Sequence, residues 1–268
     1  MKALSILNAF VRKDFLISYS YKIPFFISIL FILLNIFVFF YFSKFVDGGN
    51  NIYLETESYF SFVILGIAIA DLSTTLLSKI SLEIRNYQLI GVFENLVLSS
   101  SSPTTLFLCS YGYPLILSIF KFTLYMLISI ELFGANFMIF ENLMILSLGI
   151  FLTFISIAGI GMIAGAYTIL FKQGNPILQA YLLLSSSIGG IFFPQNVLPN
   201  FLDGIANFLP IRHSLDIFRT IENQVVFAEV QESFLWLGFL STIYFFIGIC
   251  SIKLSINYTK RNGSLIYY

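Results

Sequence analysis

The chain has 268 residues, of which 58% are hydrophobic and only 10% are charged, whereas about 25% of residues are charged in an ordinary soluble domain. This composition excludes a water-soluble globular protein and indicates an integral membrane protein. The 14 basic and 14 acidic residues balance, so the net charge gives no indication of a nucleic-acid partner or an acidic substrate.

The first segment, residues 3–21, mixes apolar and charged residues before the first long apolar run. Leu4 and Leu7 begin an apolar series near helical spacing, and Arg12 and Lys13 interrupt it with charge. The pattern predicts an amphipathic helix that lies on the membrane surface. The alternative is that the segment is the leading end of the first membrane span.

Six apolar stretches are long enough to cross a bilayer, because a spanning helix needs about 20 mainly apolar residues. We therefore expect an all-α integral membrane protein that forms one domain over residues 1–268, since no linker or repeat divides the chain. The predicted spans are residues 24–42, 60–77, 106–133, 143–171, 177–193 and 234–254.

The basic residues predict the orientation of these spans. Most of the 14 lysines and arginines lie before the first span, after the second, after the fourth or after the last. Lysine and arginine accumulate on the cytoplasmic side of membrane proteins. We therefore expect a multi-pass protein of the plasma membrane with both termini in the cytoplasm.

Residues 78–105 form the one long connection on the predicted cytoplasmic side. It combines Lys79, Glu83, Arg85 and Glu94 with many apolar residues. Such a mixed segment favours a helix that docks a cytoplasmic partner, and the alternative is a solvated loop. The end of this helix is expected before Pro103, because proline disfavours helix in the residue that precedes it.

On the opposite side, almost forty residues separate the fifth and sixth predicted spans. This outer segment keeps an apolar rhythm and contains Pro194, Pro199 and Pro210. Helices that dip into the outer leaflet or cap a cavity explain such a pattern better than a free loop.

Two charged residues, Asp71 and Lys121, fall inside predicted spans. Each costs about 2.5 to 3.5 kcal/mol at the bilayer centre on insertion scales. Their predicted depths differ, so a direct ion pair stays open beside a water-accessible pathway, a contact between subunits, or hydrogen bonds to neighbours such as Ser73 and Thr74. Gly161 and Gly165 stand four apart in the fourth span, which favours close helix packing within the chain.

The sequence predicts no catalytic, metal-binding or cofactor-binding residue. Its only histidine, His213, has no second histidine or cysteine nearby, and no Gly-x-Ser-x-Gly motif occurs. None of the lysines follows a glycine, which excludes the usual phosphate-binding loop of an ATPase.

Two motifs resemble the ABC type-2 exporter permease family, whose members include drug and polysaccharide exporters. Residues 91–99 read GVFENLVLS and resemble that family's G-T-L-E-x-L-L-x-[ST]-P segment, with Val92 in place of the usual threonine and the final proline displaced to Pro103. The second motif, at the fifth span, consists of residues 190–194, Leu198, Pro199, Leu209, Pro210, His213 and Arg219.

The resemblance implies a six-span fold with a surface helix at residues 3–21, a coupling helix near residues 82–98 and re-entrant helices at residues 197–222. It also implies a separate cytoplasmic ATPase subunit that binds ATP and Mg²⁺. A second permease chain, identical or different, completes the pathway. The chain is then the permease subunit that moves a substrate out of the cytoplasm.

We assign two sets of residues to this mechanism as hypotheses. Polar contacts with the ATPase would come from Arg85 and Glu94, beside Phe93, with Gly91 allowing close packing. An outer gate at the end of the fifth span would consist of Gly189, Gly190, Phe192, Phe193 and Pro194.

Two other classes of function compete with this interpretation. A stand-alone secondary transporter or channel would be expected to show internal repeats or several intramembrane charges. A membrane-embedded enzyme would need converging acids, bases or metal ligands. The sequence does not distinguish a drug, lipid, peptide or glycan as the substrate.

Overall fold

A computed structural model of the chain describes residues 2–47, 59–99, 102–135, 137, 143–172, 175–222 and 227–262. These residues are almost entirely helical. The helices, in chain order, are α1 (Lys2–Ser20), α2 (Lys22–Asp47), α3 (Tyr59–Leu89), α4 (Phe93–Val97), α5 (Pro103–Cys109), α6 (Gly112–Phe133), α7 (Leu143–Phe171), α8 (Pro176–Ile188), α9 (Asn200–Ala206), α10 (Pro210–Glu222) and α11 (Phe227–Arg261). Much of the predicted outer connections, residues 48–58, 138–142 and 223–226, lies outside the described residues.

Within the described residues, five helical segments are long and apolar enough to cross a membrane, and they confirm five of the six predicted spans. The exception is the predicted span at residues 177–193. There α8 ends at Ile188 after 13 residues, about 20 Å at 1.5 Å per residue, against about 30 Å of hydrocarbon. The residues that follow, up to Pro194, are not helical. A sixth crossing therefore stays a prediction.

Helix α3 lies at the centre of the bundle. In its most apolar window 78% of the residues are buried within the protein, compared with 11% for α2. It packs against α6 on one side and α7 on the other. Helix α2 buries one narrow stripe that includes Ile32 and Ile36 and exposes its other apolar residues, so it is suited to a position facing lipid.

The second predicted span was too short at its carboxyl end. It was predicted to stop at Leu77, yet α3 continues for twelve more residues to Leu89. The buried face continues through Ile80 and Ile84 at helical spacing. Lys79 and Glu83 of this extension are paired with α1, and Arg85 is hydrogen-bonded to Lys172, so these charges do not end the helix. The alternative of a solvated loop is therefore wrong for residues 78–89.

Close packing within the chain explains the glycines of α7. A Cβ atom on Gly161 would lie 2.5 Å from the hydroxyl of Tyr111, and one on Gly165 would collide with Ile80 of α3. On the other side, a Cβ atom on Gly248 of α11 would lie 2.5 Å from the carbonyl oxygen of Gly159. The prediction of intramolecular packing at these glycines is confirmed.

The segments that were not predicted to cross are also helical. Residues 3–21 correspond to α1, whose Leu7 and Val11 pack over Gly112 at the start of α6. The outer segment contains a short 3₁₀ turn (Gln195–Val197) followed by α9 and α10. Their placement on or within a bilayer, as surface and re-entrant helices, stays a prediction.

Candidate functional site

Four charged side chains form a closed ring where α1 meets α3. The Nζ atom of Lys13 lies 2.6 Å from Oε1 of Glu83 and 3.3 Å from Oδ1 of Asp14. The Nζ atom of Lys79 lies 2.6 Å from Oδ2 of Asp14 and 3.3 Å from Oε2 of Glu83. Cations and anions therefore alternate around this charge ring, and each charge has two partners of opposite sign.

The two acids of the charge ring are buried, and Tyr87 completes their surroundings. The hydroxyl of Tyr87 donates a hydrogen bond of 2.7 Å to Glu83 and accepts one of 3.0 Å from Lys13. Burial alone would lower the pKa of Lys13, but its hydrogen bonds to Glu83 and Tyr87 raise that pKa above the usual range. Lys13 therefore stays charged, and the ring joins α1 to α3.

The residues predicted to contact an ATPase lie just beyond the charge ring. Phe93 is buried in the core, and Glu94 is half-buried in the first turn of α4. The predicted helix at residues 82–98 is instead the last part of α3, a turn, and α4, which has only five residues. The break replaces one continuous coupling helix with a helix end and a separate short helix.

Gly91 makes this turn within the chain, and its close packing against an ATPase stays a prediction. A Cβ atom there would meet nothing within 4 Å, but its φ angle is +72°. The amide of Val92 donates to the carbonyl of Tyr87 and the amide of Gly91 donates to that of Gln88, the pattern of a Schellman helix end. Within this chain, Gly91 is needed because it adopts a left-handed conformation.

Arg85 lies at the turn between α7 and α8. Its guanidinium donates a hydrogen bond to the carbonyl oxygen of Lys172. In the same turn, the side-chain amide of Asn175 donates a hydrogen bond of 2.8 Å to the hydroxyl of Ser81 and one of 2.7 Å to the backbone carbonyl of Ala164. The carboxyl-terminal part of α3 is thereby attached to α1 by ions and to α8 by hydrogen bonds.

The predicted gate residues lie at the opposite end of α3. A Cβ atom on Gly66 of α3 would lie 2.5 Å from the carbonyl oxygen of Ile191, so only glycine permits this approach. The hydroxyl of Tyr59 donates to the carbonyl of Phe192 at 3.1 Å, and the ring of Phe192 stacks on Phe39 at 5.8 Å. Backbone packing and neutral contacts therefore hold this segment against α3 and α2.

The remaining gate residues differ in their surroundings. Gly189 faces Ile211 of α10, and Gly190 has a φ angle of +80°, which favours glycine. Phe193 is exposed and Pro194 is half-buried. All five predicted gate residues thus belong to one non-helical segment, residues 189–194, between α8 and the 3₁₀ turn. Their role as a gate stays a prediction.

Polar residues of α10 contact α3 and the 3₁₀ turn that follows residues 189–194. The guanidinium of Arg219 lies 3.5 Å from the ring centroid of Phe62 and donates to the carbonyl of that residue at 3.3 Å. The side-chain amide of Gln195 donates a hydrogen bond of 2.7 Å to the carboxylate of Asp216. Burial raises the pKa of Asp216 to about 6, although nearby Arg219 opposes the shift. Asp216 therefore binds its proton at a higher pH than an exposed aspartate does.

The two intramembrane charges form an ion pair with each other. The Nζ atom of Lys121 lies 3.3 Å from Oδ2 of Asp71. Asp71 lies twelve residues after the first residue of α3, and Lys121 lies twelve before the last residue of α6, Phe133. The two antiparallel helices therefore bring them to the same depth. Thr74, the alternative partner, donates to the backbone carbonyl of Asp71.

The charge ring is the feature that sequence reasoning missed. Its members were recognised only as isolated charges in an amphipathic segment and in a loop. Two signals were present: Lys79 and Glu83 are four residues apart on one helix face, and Lys13 and Asp14 are adjacent and of opposite sign. Their meeting depends on α3 extending beyond the predicted span.

Comparison with known families gives one match. The model of a family described as ABC-2 type transporter matches residues 9–223. This range includes the whole charge ring, residues 91–99 and the segment 189–194. No curated protein matches the chain.

Proposed function

Because the match covers most of its length, this chain belongs to the ABC-2 type transporter family, and we propose that it is the permease subunit of an ATP-driven exporter. It is a multi-pass membrane protein and a transmembrane transport component of the ABC-2 type. ATP and Mg²⁺ would bind to a separate cytoplasmic ATPase subunit, since none of the lysines here follows a glycine as a phosphate-binding loop requires.

The continuity of α3 is the observation that carries this proposal. One helix of 31 residues holds the charge ring near its carboxyl end and the segment 189–194 near its amino end. A packed helix moves as a rigid element, so a displacement at one end is transmitted to the other. This arrangement supports a transporter in which a cytoplasmic event opens a pathway on the far side.

In the proposed mechanism, the ATPase docks on the turn at Gly91 and on α4. Closure of the ATPase subunits pushes this turn, and the charge ring makes α1 move together with α3. Both termini lie in the cytoplasm, consistent with the basic residues at that end. Residues 189–194 then separate from the start of α3, as an outer gate. A second permease chain, identical or different, forms the other wall of the pathway.

Purification tests the partnership directly. The tagged chain, isolated in mild detergent from its own cells, should bring down a chain that contains a Gly-x-x-x-x-Gly-Lys-[Ser/Thr] motif, and the eluate should hydrolyse ATP. An eluate that contains no such chain and hydrolyses no ATP would contradict the proposal and favour a stand-alone transporter or channel.

The docking surface is tested by Glu94→Ala in the same complex. Loss of this half-buried carboxylate should reduce ATPase co-purification or the stimulation of ATP hydrolysis by about tenfold, as for one charged interface contact. Glu232→Ala removes an exposed carboxylate from α11 and serves as the matched control. Equal behaviour of the two variants would place the ATPase elsewhere.

The proposed outer gate is tested by a covalent crosslink between the start of α3 and residues 189–194. With Cys109 and Cys250 replaced by serine, a thiol crosslinker between Tyr59→Cys and Phe192→Cys should stop transport while ATP hydrolysis persists. Transport that continues after complete crosslinking would rule out an opening at residues 189–194.

A further inference from the structure

Two adjacent cavities lie between α1 and the spanning helices. The larger one, about 590 Å³, reaches the charge ring and is also lined by Thr75, Ser78 and Asn86 of α3. The smaller one, about 270 Å³, is formed by α1, α2 and the start of α6. Ser18 and Tyr113 line both cavities, so the two are compartments that share one wall.

The polar compartment presents positive charge to its opening. In the charge ring the side chain of Lys13 is 38% exposed and that of Lys79 18%, whereas those of Asp14 and Glu83 are only 10% and 7% exposed. The side chains of the two lysines are therefore more accessible than those of the two acids. A ligand that enters this compartment meets cations first, although the ring as a whole is neutral.

The second compartment is aromatic. Its wall consists mainly of Phe15 and Tyr19 of α1 and of Phe25 and Phe26 of α2, and most of these rings are exposed. Lys22 lies at the same place, with its Nζ atom 5.1 Å from the ring centroid of Tyr19. An apolar surface bordered by an ammonium group is typical of contact with the acyl chains and phosphate of a lipid.

We propose that the two compartments together bind one phospholipid taken from the bilayer. Its phosphate lies against Lys13 and Lys79, and one acyl chain lies across Tyr113 against the rings of Phe15 and Phe26. A charged ligand without an acyl chain fills only the polar compartment, and a neutral apolar ligand fills only the aromatic one. The juxtaposition of both compartments selects an amphiphile with an anionic phosphate.

This site needs neither ATP nor a partner chain, so its test is independent of the proposed function. Bound phospholipid would bridge α1, α2, α3 and α6 and stabilise the position of α1 on the charge ring. The lipid would then act as a structural ligand of α1 and α3, the two helices that move together in the proposed transport mechanism.

Native mass spectrometry of the delipidated full-length chain provides the measurement. The chain is titrated with phosphatidylglycerol, with a diacylglycerol of the same acyl chains, and with inorganic phosphate. We expect one phospholipid to bind at least about tenfold more tightly than either partial ligand. Diacylglycerol binding of equal affinity, or inorganic phosphate binding of equal affinity, would overturn the proposal.

Variants locate the bound lipid. Lys13→Gln and Phe15→Ala should each weaken phosphatidylglycerol binding by about tenfold. Lys253→Gln and Phe246→Ala change an exposed lysine and an exposed phenylalanine of α11 and are the matched controls. Because Lys13→Gln also opens the charge ring, Lys22→Gln provides a second test outside the ring. If Lys22→Gln and Phe15→Ala bind the lipid as tightly as the two controls do, the site is not here.

Discussion

The two ends of α3 are held by different forces. Near Glu83 the helix is fastened to α1 by alternating charges, whereas near Gly66 it is fastened to residues 189–194 by direct approach of backbone atoms. The ionic end depends on the balance of charge and can accept small displacements. The packed end depends on the absence of one methyl group and cannot accept volume. Conservative changes should therefore destabilise the protein at both ends, by loss of charge pairing at one end and by overpacking at the other.

Neutralising one acid of the charge ring should give the largest effect. Glu83→Gln keeps the volume of the side chain but leaves Lys13 and Lys79 with only Asp14 as a partner. We expect a loss of about 3 kcal/mol in stability, since breaking a buried ion pair leaves charge uncompensated. Thermal unfolding of the purified protein measures it. Glu94→Gln is the control, and an equal loss for both would show that the ring contributes nothing.

Adding a methyl group at the packed end should cost less. Gly66→Ala places a Cβ atom 2.5 Å from the carbonyl oxygen of Ile191, so the backbone of residues 189–194 must shift. Overpacking of this kind costs about 1 to 3 kcal/mol. Gly238→Ala in α11 is the control because nothing lies within 4 Å of its Cβ position. The same unfolding temperature for Gly66→Ala and wild type would contradict the packed contact.

At the ion pair between Asp71 and Lys121, the contribution of charge to stability can be separated from that of packing. Asp71→Asn and Lys121→Met should each destabilise the protein by about 1 to 2 kcal/mol, while the double variant should cost less than the sum. The pair is partly exposed, with side-chain exposures of 30% and 17%, which keeps the effect below that of Glu83. Additive losses in a double-mutant cycle would show that the two residues do not interact.

At the packed end, Asp216 should make the stability depend on pH. Burial raises the pKa of Asp216 from 3.8 to about 6, so the folded protein holds this proton more tightly than the unfolded chain. Its contribution to stability is fully present below about pH 4, is lost as the pH rises to about 6, and changes no further above that. The Asp216→Asn variant should not show this pH-dependent change in stability. Identical pH profiles of the unfolding temperature for both proteins would refute it.

The sequence allowed the fold class and five spans to be predicted, because long apolar runs have few alternatives in a membrane. The family was also identified correctly from the motifs at residues 91–99 and 190–219, which lie within the matched range. The span at 177–193 was not predictable in detail, since hydropathy does not show that the helix ends at Ile188. That end is set by Gly189 and Gly190, and the surroundings of Gly189 include Ile211, which is distant in sequence.

For the candidate site, the positions of single residues were easier to predict than their partners. Charges were taken as the end of the second span, yet Lys79 and Glu83 continue the helix because α1 supplies opposite charges. The same error in the helix boundary concealed the pairing of Asp71 with Lys121. Gly91 was recognised as important, but the helix end that it forms was not predicted, because φ angles are not readable from spacing.

The Asp71–Lys121 pair has a consequence for biosynthesis. The second span is synthesised before the third, so Asp71 reaches the membrane before its partner exists. Each charge alone opposes transfer into lipid by about 2.5 to 3.5 kcal/mol, whereas the paired hairpin carries no net charge at that depth. Asp71 therefore reduces the free energy gained when α3 inserts alone, and pairing with Lys121 relieves this cost once α6 has been made. The contact thus favours the insertion of α3 and α6 as neighbours.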